Sequence, residues 1–410
     1  MVLPLLQHLV SGGIAESVHW VSLNPRGPAE VTFDGITLHH IQLEADRIKG
    51  YGNTKEAIWK TLHGLPSDSS PLTTAAASPM QVFWQDEFSD FTYYNRLSAE
   101  RILQLDEKFD FDLFYIHDFQ QLPIGNMLNT LKPKIFRWHI PFDTSTIPPE
   151  WEPFLSTYFN SYDALIVSSK KYMDSLKNFG YDGKPHYVYP YIDPSQYREP
   201  TAEETAEFNS RVKLNEGDKV ILVVARLDPM KGQDHAINAM TKVAKMVPDA
   251  KLVLVGNGSF SSSKQGVNLS KADKWLNELR QLVKRLRIQS RVIFAGHLEQ
   301  NLLNAAYRRC NLTVLPSVRE GFGLVVIESW LYKKPAIITA RAGIAELIQS
   351  GHNGLLFDPD EPQDLAEKIS NVLLDDQLAR KLGENGFVTS RKCTIERGVK
   401  DESKIMLGLV

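Results

Sequence analysis

The chain has 410 residues, 43% of them hydrophobic and 23% charged, and a net charge of −3. At roughly 100–200 residues per domain, that length suggests two domains with full cores. The small net charge excludes a global basic field for nucleic acid or an acidic membrane, the two cysteines (Cys310 and Cys393) exclude a disulfide framework, and no run reaches the ~18–20 apolar residues of a membrane span.

The opening "MVLPLLQHLV" is apolar but has neither a basic flank nor a small-residue cleavage site, so it reads as a core helix rather than a signal peptide. Together with reduced cysteines this points to a cytoplasmic protein. Strands are expected at "VHWVSL" (18–23), "DLFYIH" (112–117), "KIFRWHI" (134–140) and "DALIVSS" (163–169). Several are apolar on both faces, as buried parallel strands are. "LPSDSSPLTTAAASPM" (65–80) has the composition of a surface loop or insertion.

Prolines and charges around 189–205 suggest a linker, after which the alternation restarts. Strands are expected at 219–225, 250–256, 291–296, 311–316 and 335–340, with helices near 233–246, 272–286, 299–309, 323–333 and 361–375. "SFSSSKQGVNLSKAD" (259–273) is a second polar loop. The βαβ series predicts an α/β protein of two doubly wound, Rossmann-like domains, residues 1–195 and 196–388, with 389–410 packing back on the first. Two such sheets on a linker would face a cleft, with ligands beyond the carboxyl ends of their strands.

The residues after the strands carry the chemistry. In "VVARLDPMKGQ", Arg226 and Lys231 flank a turn that leads into a helix. Two cations there would grip a diphosphate, helped by the helix N-terminus; the alternative is a surface loop of solvated charges. "LVGNGS" (254–259) reads simply as a turn. In "PSVREGFGLVVIESW", Glu320 lies on a glycine loop and Glu328 two turns into an apolar helix. Gly321 and Gly323 let the backbone approach a ligand, and the amides of Phe322, Gly323 and Leu324 could point at a phosphate. Glu320 could instead only complement the helix dipole. Glu328, among apolar neighbours, calls for a partner such as a ribose diol rather than plain solvent.

Gly343 and Glu346 open another helix, "GHNGLLF" turns into a strand, and a capped helix follows near Glu361; these read as scaffold. Earlier in the chain, His117 and Asp118 end one strand, and His139 ends the next, with Arg137 before it and Asp143 beyond. Two histidines at neighbouring strand ends are either structural or functional. No HExxH, CxxC or clustered Asp pair gives a metal spacing.

The motifs "ARLDPMKG", "PSVREGFGLVVIES" and "AGIAELIQSGHNGLLF" together resemble the retaining nucleotide-sugar glycosyltransferases of family 4, which have the GT-B fold. With "IHDFQ" and "RWHIPFD", the chain is most similar within that family to the trehalose glycosyltransferring synthases. The resemblance implies a hexosyltransferase that moves a hexose, glucose by analogy, from a nucleotide diphosphate sugar to a small sugar acceptor, with retention and without a cofactor or metal. It implies that Arg226 and Lys231 hold the diphosphate, Glu320 the sugar hydroxyls and Glu328 the ribose. His139 would face the anomeric centre, and His117 and Asp118 the acceptor. It leaves open the donor base, the acceptor and whether the protein is a homodimer. Alternatives are a sugar phosphorylase, an epimerase or hydrolase of the same architecture, or a non-catalytic nucleotide-sugar-binding protein.

Family members begin with a strand and a glycine-rich loop, whereas Met1 here already lies in the first helix and "SGG" (11–13) follows that helix. The expectation is a missing first strand, an unpaired position in the sheet, a gap on the acceptor side, and weak or absent turnover.

Overall fold

The structure, a computed structural model, describes residues 2–64, 86–144, 147–258 and 271–410. The expected loop at 65–80, and 259–270 of the second polar loop, lie outside the described residues; Lys271–Asp273 begin a helix. The chain divides into two compact units, Met1–Pro190 with Glu396–Val410, and Tyr191–Ile395.

The first unit opens with helix α1, Val2–Ser11, which buries Leu5, Leu6 and Leu9 as an amphipathic core helix does. Strands β1 (Val18–Leu23), β2 (Glu30–Phe33) and β3 (Ile36–Ile41) form one sheet in the order β1-β3-β2. Strands β4 (Phe114–His117), β5 (Lys134–Arg137), β6 (Ala164–Val167) and β7 (His186–Tyr187) form another, all parallel, in chain order. The expected single doubly wound sheet is thus two sheets, and β2 runs antiparallel to β3. The hairpin turn is Asp34-Gly35, both at positive φ (50° and 74°). Asp-Gly between alternating strands is a strong hairpin signal, and the sequence reading passed over it. Helices Ala45–Leu62 and Asp86–Phe109, also unforeseen, pack around a core that includes Tyr51, Phe91, Phe136 and Trp151.

The second unit follows the sequence closely. Strands β8 (Lys219–Val224), β9 (Ala250–Val255), β10 (Val292–Gly296), β11 (Leu312–Leu315), β12 (Ala336–Thr339) and β13 (Leu355–Phe357) build one sheet in the order β10-β9-β8-β11-β12-β13. Every pairing is parallel. The four central strands β9, β8, β11 and β12 are buried on both faces, which is why they read as apolar runs, whereas the outer β10 and β13 are mostly half-buried. Helix Gln233–Met246 has the expected bounds, and the helix after β11 is Leu324–Leu331. Strand order reverses between β8 and β11, so the switch point of this sheet lies there.

Candidate functional site

The loops leaving β8 and β11 meet at that switch point. The amide of Val318 donates to the carbonyl of Met230 at 2.9 Å, which ties the two loops together. Gly232 makes the approach possible: its φ is +63°, and a Cβ there would stand 2.0 Å from the carbonyl oxygen of Pro316. Asp228 accepts from the amide of Met230 at 2.9 Å and shapes the turn that presents Lys231.

Lys231 Nζ donates to Glu320 Oε2 at 2.7 Å, and Ser317 Oγ donates to the same oxygen at 3.2 Å. Both charged side chains keep about a fifth of their surface, 20% and 17%, so a ligand can reach them. Glu320 is fixed by its backbone, bridged to Ala342 and accepting from the Gly343 amide at 3.2 Å. Gly343 and Glu346 lie in a short 3₁₀ turn, and Gly343 is therefore part of the wall of this loop rather than remote scaffold. Arg226 is exposed just past β8, and its carbonyl accepts from Gln233 Nε2 at 2.6 Å. Trp275 Nε1 in turn donates to Gln233 at 3.0 Å, a support that no local sequence pattern marks.

The second glutamate departs from its expected setting. The helix begins at Leu324 behind Gly323 (φ 110°), so Glu328 is about one turn in, and the stretch from Glu320 is a loop rather than helix. Its apolar surroundings are relieved by the protein: Tyr307 Oη donates at 2.5 Å and Tyr197 also hydrogen-bonds it. Burial pushes the Glu328 carboxyl up, while the two tyrosines oppose that shift. Neither tyrosine carries a sequence signal linking it to Glu328; Tyr307 lies 21 positions away. No side chain caps the Leu324–Leu331 helix at Gly323, and Phe322 is buried beneath the loop. Gly321 is half-buried beside it.

In the first unit, His117 ends β4 and His139 follows β5. Their rings stack with centroids 5.3 Å apart, and His117 Nδ1 is 2.9 Å from His139 Nε2. Burial, then the charge of Arg137, holds the His117 imidazole down to about 3; burial and His117 hold His139 well below its usual range. Both rings are therefore neutral at pH 7, and act as hydrogen-bond partners rather than as charges. Asp118 adopts φ 63° with Oδ1 buried and without a hydrogen-bond partner among the described residues. Burial pushes its carboxyl up to about 6 against the backbone donors Phe119 and His139. Asp118 thus combines an unusual backbone conformation with a buried carboxylate oxygen left unpaired among the described residues.

Arg137 stands level with His117 in the β4–β5 register but takes its partners elsewhere. It is 2% exposed and pairs through Nη1 with Glu402, which is fully buried in the C-terminal helix Ile395–Met406. Tyr115 Oη donates to the other Glu402 oxygen at 2.6 Å, and Arg137 Nη2 to the Val188 carbonyl at 3.2 Å. No sequence motif singles out Glu402.

The histidine pair sets a pH dependence. The folded imidazole of His117 protonates near 3, the unfolded one near 6.5, so the unfolded state binds the extra proton between those values. Stability therefore falls as pH drops below 6.5. Asp118 works oppositely: its raised value favours the folded state below about 6. Burial also holds His19, His39 and His186 below their ordinary range, so five lowered histidines stand against the two raised carboxyls of Asp118 and Glu328; the melting temperature is expected to fall from pH 6.5 to 5, and the His117→Asn variant to show a shallower fall. A melting temperature flat across that range in the parent chain would rule the assignment out.

Comparisons with known proteins bear on both units. Residues 204–388 match the family described as "Glycosyl transferases group 1", and residues 73–174 match "Trehalose synthase, N-terminal domain". The chain is 30% identical over 198 residues to an uncharacterized glycosyltransferase of Methanocaldococcus jannaschii, covering 48% of this chain and 50% of that protein. It is 28% identical over 293 residues to the trehalose synthase of Thermococcus litoralis, covering 71% of this chain and 67% of that one. The match thus spans about half the length of the Methanocaldococcus relative. Among solved structures, a trehalose-6-phosphate structure from E. coli bound with UDP-2-fluoro glucose aligns at a TM-score of 0.79 and 18% identity, over 100% of this chain and 96% of that one. At that identity it shows the fold alone, a pair of Rossmann-like α/β units of the GT-B type.

Proposed function

We propose, from the match of residues 204–388 to the group 1 glycosyl transferases and of residues 73–174 to the trehalose synthase N-terminal domain, that this chain is a retaining hexosyltransferase. It moves a hexose, glucose by analogy with the trehalose synthases, from a nucleoside diphosphate sugar to a small sugar acceptor. The observation that carries the reading is the Lys231–Glu320 pair at the switch point of the β8–β13 sheet. An ammonium has three donors, so Lys231 can keep Glu320 while facing a phosphate oxygen. Arg226 stands at the end of the preceding strand as a second cation.

Departure of the diphosphate leaves negative charge on its oxygens. Lys231, Arg226 and the amides of Phe322, Gly323 and Leu324 would be the donors for that charge, with no call on a metal. Glu320 accepts from hydroxyls of the sugar being moved. A carboxylate has about four acceptor positions, so Glu328 can hold two tyrosines and still receive a ribose hydroxyl. Positive charge develops at the anomeric carbon, the side on which His139 would act. The acceptor hydroxyl attacks from the leaving-group face, and the departing phosphate takes its proton. His117 and Asp118 would orient that acceptor.

The deciding experiment incubates the full chain with UDP-, ADP- or GDP-glucose and with glucose or glucose phosphate, with and without EDTA. Release of nucleoside diphosphate with an α-linked product, unchanged by EDTA, is the expected result. Sugar phosphate appearing only with inorganic phosphate would establish a phosphorylase instead, and calorimetric binding with no turnover a binding protein. Glu328→Ala is expected to weaken nucleoside diphosphate binding by about tenfold, the worth of roughly one lost charged hydrogen bond. Equal affinity in the variant would remove Glu328 from the ribose site.

A further inference from the structure

In the second unit, Glu328 takes its side-chain hydrogen bonds from hydroxyl groups. It is half-buried in helix Leu324–Leu331, where Tyr307 Oη donates to its Oε2 at 2.5 Å and the Tyr197 hydroxyl bonds the same carboxylate. A structural carboxylate taken out of water is ordinarily matched by a cation. Two neutral donors do not cancel its charge, and they fill only about two of its roughly four acceptor positions. They fix the direction of the carboxylate and leave room for further donors.

The tyrosines are themselves held. Tyr307 lies fully buried on helix Gln300–Arg309, and its ring stacks on that of Tyr332 with centroids 5.9 Å apart and planes 10° from parallel. Tyr332 stands one helical turn beyond Glu328, on the same side of the helix, and its Oη donates to the Arg198 carbonyl at 2.8 Å. One turn before Tyr307, buried Asn304 donates from Nδ2 to the Gln196 carbonyl at 3.0 Å. The carbonyls on either side of Tyr197 are therefore pinned by two side chains, and the hydroxyl between them is aimed at Glu328. Burial holds both tyrosine hydroxyls above their ordinary range, so they stay protonated donors. Burial also pushes the Glu328 carboxyl up, and the two O–H donors oppose that shift.

We propose that Tyr197 and Tyr307 are positioning residues for nucleotide recognition: they hold the Glu328 carboxylate as an acceptor for both ribose hydroxyls, and so set a preference for a ribonucleoside diphosphate over its dideoxy counterpart. The proposal rests on the assignment of Glu328 to the ribose made above. A vicinal diol offers two neutral O–H donors side by side, which suits the acceptor positions that the tyrosines leave open. A carboxylate free to rotate meets such a diol in many orientations, and the two tyrosines restrict it to one before the ligand arrives. Loss of one tyrosine donor loosens Glu328 and favours its protonated form, in which one oxygen carries a proton and accepts less well from the diol. Tyr332 and Asn304 act one step further out, through the ring and the carbonyls that they fix.

The test is calorimetric titration of the full chain with UDP, ADP and GDP and with the 2′,3′-dideoxy form of each, for the parent, Tyr197→Phe and Tyr307→Phe. Phenylalanine keeps each ring and its packing and removes only the donor. The parent is expected to prefer at least one ribonucleotide over its dideoxy form by about tenfold or more. Each variant is expected to bind that ribonucleotide about three- to tenfold more weakly, the worth of roughly one hydrogen bond, with the dideoxy affinity unchanged. The shrinking preference is a readout that a merely structural loss does not move. The positioning role is overturned if a folded variant keeps the parent's preference, or loses affinity for both forms equally. Either result leaves the glycosyltransferase reading standing, because the parent still binds the nucleotide. A parent that binds ribose and dideoxy forms alike overturns the proposal together with the ribose assignment of Glu328, and a parent that binds no nucleotide overturns the donor reading as well. Should Tyr307→Phe fail to fold, Tyr197→Phe, at a half-buried position, decides by the same criteria.

Discussion

Lys231→Ala is expected to lower kcat by about 100- to 1,000-fold, the loss of roughly 2.7–4 kcal/mol of stabilisation at a developing charge. The ammonium is held at 2.7 Å from Glu320 by two loops that the Gly232 approach locks together. Because it would act on the leaving diphosphate, its effect should fall on kcat rather than on KM alone. Folding stability should change by less than about 1 kcal/mol, since the ion pair retains solvent contact at both partners. Lys231→Arg keeps the charge but changes its shape, and should recover only part of the rate. Initial-rate measurement of nucleoside diphosphate release, beside a denaturant melt of each variant, checks both halves. A variant that turns over at the parent rate removes Lys231 from the chemistry.

The second large effect lies far from any proposed substrate. Glu402→Ala should destabilise the protein by about 3–5 kcal/mol, because it removes the counter-charge of the buried Arg137 guanidinium, which keeps the Val188 carbonyl as a neutral acceptor. Glu402→Gln should cost less, since an amide still accepts from Tyr115. The Arg137→Met/Glu402→Leu double variant should regain most of the loss, because both buried charges leave together. Urea unfolding of the three variants separates these outcomes. A single-variant cost under about 1 kcal/mol would mean that Arg137 finds water or another acceptor when Glu402 is gone.

The second unit was legible almost strand by strand. Its four central strands are buried on both faces, so each is a short apolar run, and each helix starts within a residue or two of its expected position. The motif residues were legible for the same reason: a ligand-facing loop at a strand end needs glycines and charges together, and both appear within a few positions. The first unit was less readable. Its strands are short and partly exposed, and β2 and β3 alternate polar with apolar residues, as half-buried strands do. The Asp34-Gly35 turn was visible but unused.

What the sequence determined by itself is local: the βαβ rhythm, the turn residues of Arg226–Gly232 and Gly321–Gly323, and the resemblance they carry. Only the tertiary structure decided the partners. It paired Lys231 with Glu320 across 89 positions and gave Glu328 two tyrosine hydroxyls instead of solvent. It also buried Glu402 against Arg137 across 265 positions. Periodicity reports which face of an element is buried, but it carries no information about what lies opposite. A buried charge, an orphaned carboxylate oxygen or an open sheet edge is defined by that opposite surface alone.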